Sequence, residues 1–157
     1  HKLLNIMSKS KIHIALYQPD MPLNVGAAMR LCACMDIELD IIEPCGFPWN
    51  RQKIQRAGMD YMDIVKLNRH DSWNQFLETY KDKRLILMTT KTDQSYCDFE
   101  FSDNDILIAG RESSGVPQEV HDLIAHKITI PMAGEARSMN IINATSMITG
   151  EALRQTR

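Results

Sequence analysis

The chain is poor in the features that most often announce a chemistry. Its four cysteines, Cys32, Cys34, Cys45 and Cys97, form no Cys-x-x-Cys pair and no spacing that closes a zinc site with the histidines. They read as free thiols of a cytosolic protein, and no metal is expected. No apolar run approaches the roughly 18 residues of a membrane span, and the start lacks a secretory apolar segment. The chain therefore reads as soluble and cytoplasmic. A formal net charge of -2 and a pI near 6.2 leave no global excess of positive charge. Any nucleic-acid site would have to be a local patch. Three familiar signatures are missing as well. A serine-hydrolase elbow needs glycine two residues before the serine, but Arg111 stands before Ser113. No Gly-Lys-Ser/Thr of a P-loop occurs, and Gly110 and Gly115 lack the intervening glycine of a dinucleotide fingerprint.

What is present is an alternation of apolar strands and amphipathic helices. The 157 residues, 44% hydrophobic and 24% charged, suit one globular domain. Residues 11–157 are taken as that domain and 1–10 as an extended start. Ile12 to Tyr17 reads as a buried strand stopped by Gln18-Pro19, with a helix from about Asn24, which is read as its N-cap and a loop brace and not as a chemical group. Glu38 to Ile42 is a second strand, so strand, helix, strand order implies a parallel pair. A short basic helix follows between Trp49 and Gly58, and Tyr61 to Val65 reads as another strand. Ser72 caps a helix through Tyr80, with Glu78 and Lys81 on its wet side. Strands at Arg84 to Thr89, Ile106 to Ala109 and Ile128 to Ile130 complete the list. Between the last two, Val116-Pro117 opens a helix to about Ala125. A final helix over 140–155 is apolar or small on two faces, which points to burial against a second copy, a homodimer. The fold class is α/β, a mostly parallel sheet flanked by helices.

Three polar stretches stand at strand ends, where open α/β sheets place ligands. They are Pro22-Leu23-Asn24-Val25-Gly26 running on to Arg30, Gly110 to Pro117, and Ile130-Pro131-Met132 followed by Arg137-Ser138-Met139-Asn140. The second is a tight turn able to bring backbone amides and one carboxylate against a ligand. Apolar Ile130 and Met139 amid backbone polar groups suit a neutral aromatic ring and ribose better than a triphosphate.

Asn24-x-Gly26 with Arg30, Gly110-x-Glu112-x-x-Gly115-x-Pro117, and Ile130-Pro131-Met132 with Ser138-Met139-Asn140 resemble motifs one, two and three of the SPOUT methyltransferases. From Ile12 to Gln155 the chain is similar to one branch, the TrmL (YibK-type) tRNA wobble-position ribose 2'-O-methyltransferases. Further branch markers are Leu16-Tyr17-Gln18-Pro19, Arg56-Ala57-Gly58-Met59-Asp60-Tyr61, Thr89-Thr90-Lys91 and Glu151-Ala152-Leu153-Arg154-Gln155.

The resemblance implies a SPOUT fold with a deep C-terminal trefoil knot, a homodimer, S-adenosyl-L-methionine as cofactor and the tRNA anticodon stem-loop as partner. It places Met88, Gly110, Ile130, Ser138 and Met139 at the cofactor, and Arg137 and Asn140 at the substrate, with Asn140 fixing the loop backbone. Arg30 and Glu112 are the catalytic expectations. An arginine is a poor base, so Arg30 is expected to clamp an alkoxide or phosphate. Glu112 either accepts a proton or anchors Arg30 or the turn. Arg51, Lys53 and Arg56 are either phosphate contacts or a solvated helix face. Other RNA positions, or an RNA-binding module without turnover, are the alternative readings. Relative to the family, Asp36 and Thr92 stand where glycine is common, Gly150 stands where a tyrosine is usual, and Ser113-Ser114 replaces a pair that often includes arginine.

Overall fold

The computed structural model describes residues 10–57, 61–135 and 139–157. Six strands, β1 (His13–Tyr17), β2 (Glu38–Ile42), β3 (Leu67–His70), β4 (Arg84–Met88), β5 (Asp105–Ala109) and β6 (His126–Ile128), form one sheet in the order β3-β2-β1-β5-β4-β6. Every pairing is parallel. Five helices connect or cover them: α1 (Pro22–Met35), α2 (Arg51–Ala57), α3 (Trp73–Thr79), α4 (Gln118–Leu123) and α5 (Ile141–Thr156). Single 3-10 turns lie at Tyr61–Asp63 and Tyr96–Asp98.

The central strands are buried on both faces, which is why they read as continuous apolar runs. In β1, Ile14 and Leu16 join a core with Met29 of α1, Ile148 and Ala152 of α5, and Leu39 and Leu107. Ala15 and Tyr17 point the other way, into a second core with Phe76 of α3 and Val120 of α4. Full burial of a side chain such as Phe76 stabilises the fold by about 1.5–3 kcal/mol. The strand order reverses direction at β1, with β2 on one side and β5 on the other. Loops leaving the carboxyl ends of β1, β5, β4 and β6 therefore gather at one edge.

Four sequence expectations are corrected. Tyr61 to Val65 is a turn, because Ile64 N and Val65 N both donate to the Tyr61 carbonyl, at 3.0 and 2.9 Å. The strand comes later, at Leu67–His70, on the sheet edge, where Asn68 and Arg69 are satisfied by Glu38 and Glu43. Asn24 does not cap α1: the helix begins at Pro22, whose missing N–H suits the first turn, and the cap position is Met21. The last strand ends at Ile128, since Thr129 turns aside to bridge Ser95. Helix α4 runs over Gln118–Leu123, with Pro117 in the cap position.

The remaining helix expectations stand. Ser72 caps α3 by accepting from Gln75 N at 3.1 Å. Asn140 caps α5 through bonds from Ile142 N and Asn143 N, at 2.9 and 3.2 Å. Helix α5 buries Ile142, Thr145, Ile148, Thr149, Ala152 and Leu153 and leaves Met147 exposed. Gln155 ties its end to the preceding loop, accepting from Phe101 N at 2.8 Å and donating to Phe99 O at 3.0 Å.

Candidate functional site

The second polar stretch begins where β5 ends. Gly110 lies so close to Gly115 that a Cβ there would stand 2.7 Å from the Gly115 carbonyl carbon. Arg111 N donates to Gly115 O at 3.1 Å and Gly115 N to Arg111 O at 2.8 Å, closing a loop with Glu112, Ser113 and Ser114 at its tip. Gly115 takes φ +67°, which favours glycine. Both terminal glycines of the motif are thus backbone requirements.

The loop after β1 braces this tip. Arg111 Nη2 donates to Gln18 Oε1 at 2.8 Å, and its guanidinium lies 5.5 Å from the Tyr17 ring centroid. Ser113 Oγ donates to Asp20 Oδ2, and Asn24 Nδ2 donates to Glu112 Oε2. Asn24 therefore joins the first motif to the second, a loop brace as expected although it is not the cap. Gln18 belongs to the marker Leu16-Tyr17-Gln18-Pro19, whereas Asp20 belongs to no pattern that flagged it.

A cavity of about 480 Å³ opens beside the loop. Its apolar wall comes from Leu87, Ile128, Ile130, Ala144 and Ile148, at strand ends and on α5, and its polar wall from the Gly110 to Gly115 loop and Thr89 to Lys91. Such a volume holds a small organic ligand, with an aromatic group against the apolar side and backbone groups free to read its edge. Met88, Gly110, Ile130 and Met139 all line it, and so do Glu112 and Asn140. Arg137 and Ser138 lie outside the described residues. The Asn140 side-chain oxygen is engaged in capping α5. Arg30 is not among the described residues lining the cavity; it lies on the exposed side of α1, its Cζ 5.8 Å from the centroid of the Tyr61 ring.

His121 also lines the cavity, and among the described residues neither of its buried ring nitrogens has a hydrogen-bond partner. His13 and His70 belong instead to a buried network: His13 Nδ1 and His70 Nε2 lie 2.8 and 2.9 Å from the two oxygens of Asp40. Burial pushes the Cys32 thiol well up and that of Cys45 up to about 11, so neither is a poised nucleophile. Among the described residues, no group of three or more His, Cys, Asp or Glu is arranged to hold a metal, and no helix is long and apolar enough to cross a membrane.

Comparison with known proteins agrees with this geometry. Residues 11–150 match the SpoU rRNA Methylase family. A tRNA (cytidine(34)-2'-O)-methyltransferase of Beijerinckia indica subsp. indica is 49% identical over 146 residues, spanning 90% of this chain and 90% of the relative. A solved structure described as giving structural insights into the 2-OH methylation of C/U34 on tRNA superposes with TM-score 0.89 at 36% identity, over 94% of this chain and 97% of that one. The SpoU methyltransferase AviRb of Streptomyces viridochromogenes, in complex with AdoMet, shares the fold with TM-score 0.83 at 22% identity, over 95% of this chain and 62% of that one.

Proposed function

The chain belongs to the SpoU rRNA Methylase family, and from that premise we propose that it methylates the ribose 2'-hydroxyl of the wobble nucleotide of tRNA, with S-adenosyl-L-methionine as methyl donor. One observation carries the reading: a relative named for 2'-O-methylation of cytidine(34) in tRNA is 49% identical over 90% of both chains. The cavity fits the donor chemically. Its apolar side suits adenine, and the main chain of two motifs surrounds the polar edge. No metal is needed, because the bound donor supplies a methyl group on a positively charged sulfur, a leaving group that departs neutral.

The protein's part is orientation, charge stabilisation and removal of one proton. As the bond from O2' to the methyl carbon forms, the hydroxyl proton must leave. Arg30, permanently charged, stabilises the developing alkoxide. Glu112, held at the cavity mouth by Asn24, accepts the proton or orders the loop. Arg137 and Asn140 stand on the substrate side. Lys53 and Arg56, exposed on α2, contact tRNA phosphates, while Arg51 already pairs with Asp63 at 3.3 Å. A homodimer, a deep trefoil knot and a cytoplasmic setting complete this reading. Exposed Met147 on α5 and Leu23 on α1, and an Arg30 that stands off the cavity of its own subunit, favour the dimer.

Transfer of labelled methyl from S-adenosyl-L-methionine to bulk tRNA, with mapping of the labelled nucleotide, tests the proposal. Label at the wobble ribose is expected. The family description itself names rRNA; label in ribosomal RNA or at another tRNA position would move the substrate, and cofactor binding without transfer to any RNA would point to a binding module.

A further inference from the structure

An arginine that clamps a developing alkoxide must present its guanidinium in one attitude, yet the side chain has many rotamers and Arg30 is exposed on α1. The Arg30 Cζ lies over the Tyr61 ring, 5.8 Å from its centroid, within the range where the negative face of an aromatic ring attracts a cation. The ring is held from below. Tyr61 opens the 3-10 turn Tyr61–Asp63, its carbonyl accepts from Ile64 N and Val65 N, and Val65 is buried. The Tyr61 side chain packs against the core that contains Met29 and Ile54. At the other end of the turn Asp63 pairs with Arg51 of α2, a helix anchored by the fully buried Ile54.

We propose that Tyr61 is a positioning residue for Arg30, its ring face holding the guanidinium in the attitude that meets the ribose hydroxyl. The inference rests on the reading of Arg30 as the group that contacts that hydroxyl. It depends on the face of the ring and not on the phenol oxygen, so phenylalanine serves and an aliphatic side chain of similar bulk does not.

Steady-state methyl transfer to tRNA and calorimetry with S-adenosyl-L-methionine, on the full chain, decide it. Tyr61→Phe is expected to match the parent. Tyr61→Leu is expected to lower kcat about 3- to 10-fold, with KM for tRNA and cofactor affinity unchanged. Tyr61→Met, longer, more adaptable in shape and equally without a π-face, gives the same result should leucine destabilise the fold. The double variant Arg30→Ala/Tyr61→Leu is expected to be no slower than Arg30→Ala alone. Parental kcat in both aliphatic variants, an equal loss in Tyr61→Phe, additive losses in the double variant, or a loss confined to KM, which would mean that the ring meets RNA itself, each overturn the proposal. Arg30→Ala separates it from its premise. A parental rate in Arg30→Ala sinks the role of Arg30 and this inference with it, whereas a dead Arg30→Ala beside a parental Tyr61→Leu sinks only this one.

Discussion

Gly110 is where a single methyl group would meet backbone on the far side of a loop. The Cβ of an alanine there would stand 2.7 Å from the Gly115 carbonyl carbon and 3.0 Å from Val116 N, and neither is the movable end of a side chain. The loop must open, and with it the polar wall of the cavity. Gly110→Ala is therefore expected to weaken S-adenosyl-L-methionine binding at least about tenfold, since a misplaced wall loses one to two hydrogen bonds. Calorimetry against the parent checks it. Gly150 supplies the contrast, because a Cβ there meets nothing within 4 Å. Gly150→Ala should leave cofactor affinity unchanged and stabilise α5 by about 0.5–1 kcal/mol, read from urea unfolding. Equal effects of the two substitutions on binding would show that the close approach at Gly110 does not matter.

At the scale of elements, Asn140 illustrates how one residue can be claimed by two roles. Its side-chain oxygen accepts from Ile142 N and Asn143 N and so starts α5, the helix that supplies one wall of the cavity. Asn140→Ala should cost about 1 kcal/mol in chemical denaturation, while Asn140→Asp keeps the cap. Activity that follows stability across the two variants assigns Asn140 to architecture; a fall in Asn140→Asp alone assigns it to substrate. The elements legible in the sequence were those whose pattern is local: the buried strands β1, β2, β4 and β5, and helices announced by Ser72, Pro117 and Asn140. Edge strand β3 was missed because its residues are polar and satisfied across the strand by Glu38 and Glu43, which no apolar period reveals. That Met88, Gly110, Ile130 and Met139 share one cavity was legible through the resemblance. The partners that Gln18, Asp20 and Asn24 brace were not, because these contacts join residues about 90 positions apart. Asp36, where the resemblance leads to an expectation of glycine, shows the converse. It ends α1 at φ 55°, a conformation glycine adopts freely and aspartate tolerates.

Across the whole molecule the edge that carries the motif loops is separate from a buried charge cluster that holds the sheet to α3. Asp40 is fully buried in β2 and accepts from His13 of β1, His70 of β3 and, at 2.6 Å, from Tyr80 at the end of α3. Burial alone would raise its pKa, but the bonds from His13, His70 and Tyr80 outweigh that and hold the carboxyl below its usual value. Beside it, burial opposes but does not cancel the lowering of Glu38 by Asn68, His13 and Lys66. A carboxyl with a depressed folded pKa binds fewer protons folded than unfolded, so its contribution is complete above the unfolded value of about 3.9 and is lost as pH falls below it toward the folded one. Stability should therefore be flat in this respect near neutrality and drop below about pH 4. Asp40→Asn is expected to cost about 3 kcal/mol at pH 7, because two buried histidines and the half-buried Tyr80 lose their charged partner, and to make the acid limb shallower. Urea unfolding at pH 7, 5, 4 and 3 measures both effects. An acid limb as steep in Asp40→Asn as in the parent would place the acid sensitivity elsewhere, first at Glu38, which Asn68, His13 and Lys66 hold below its usual value.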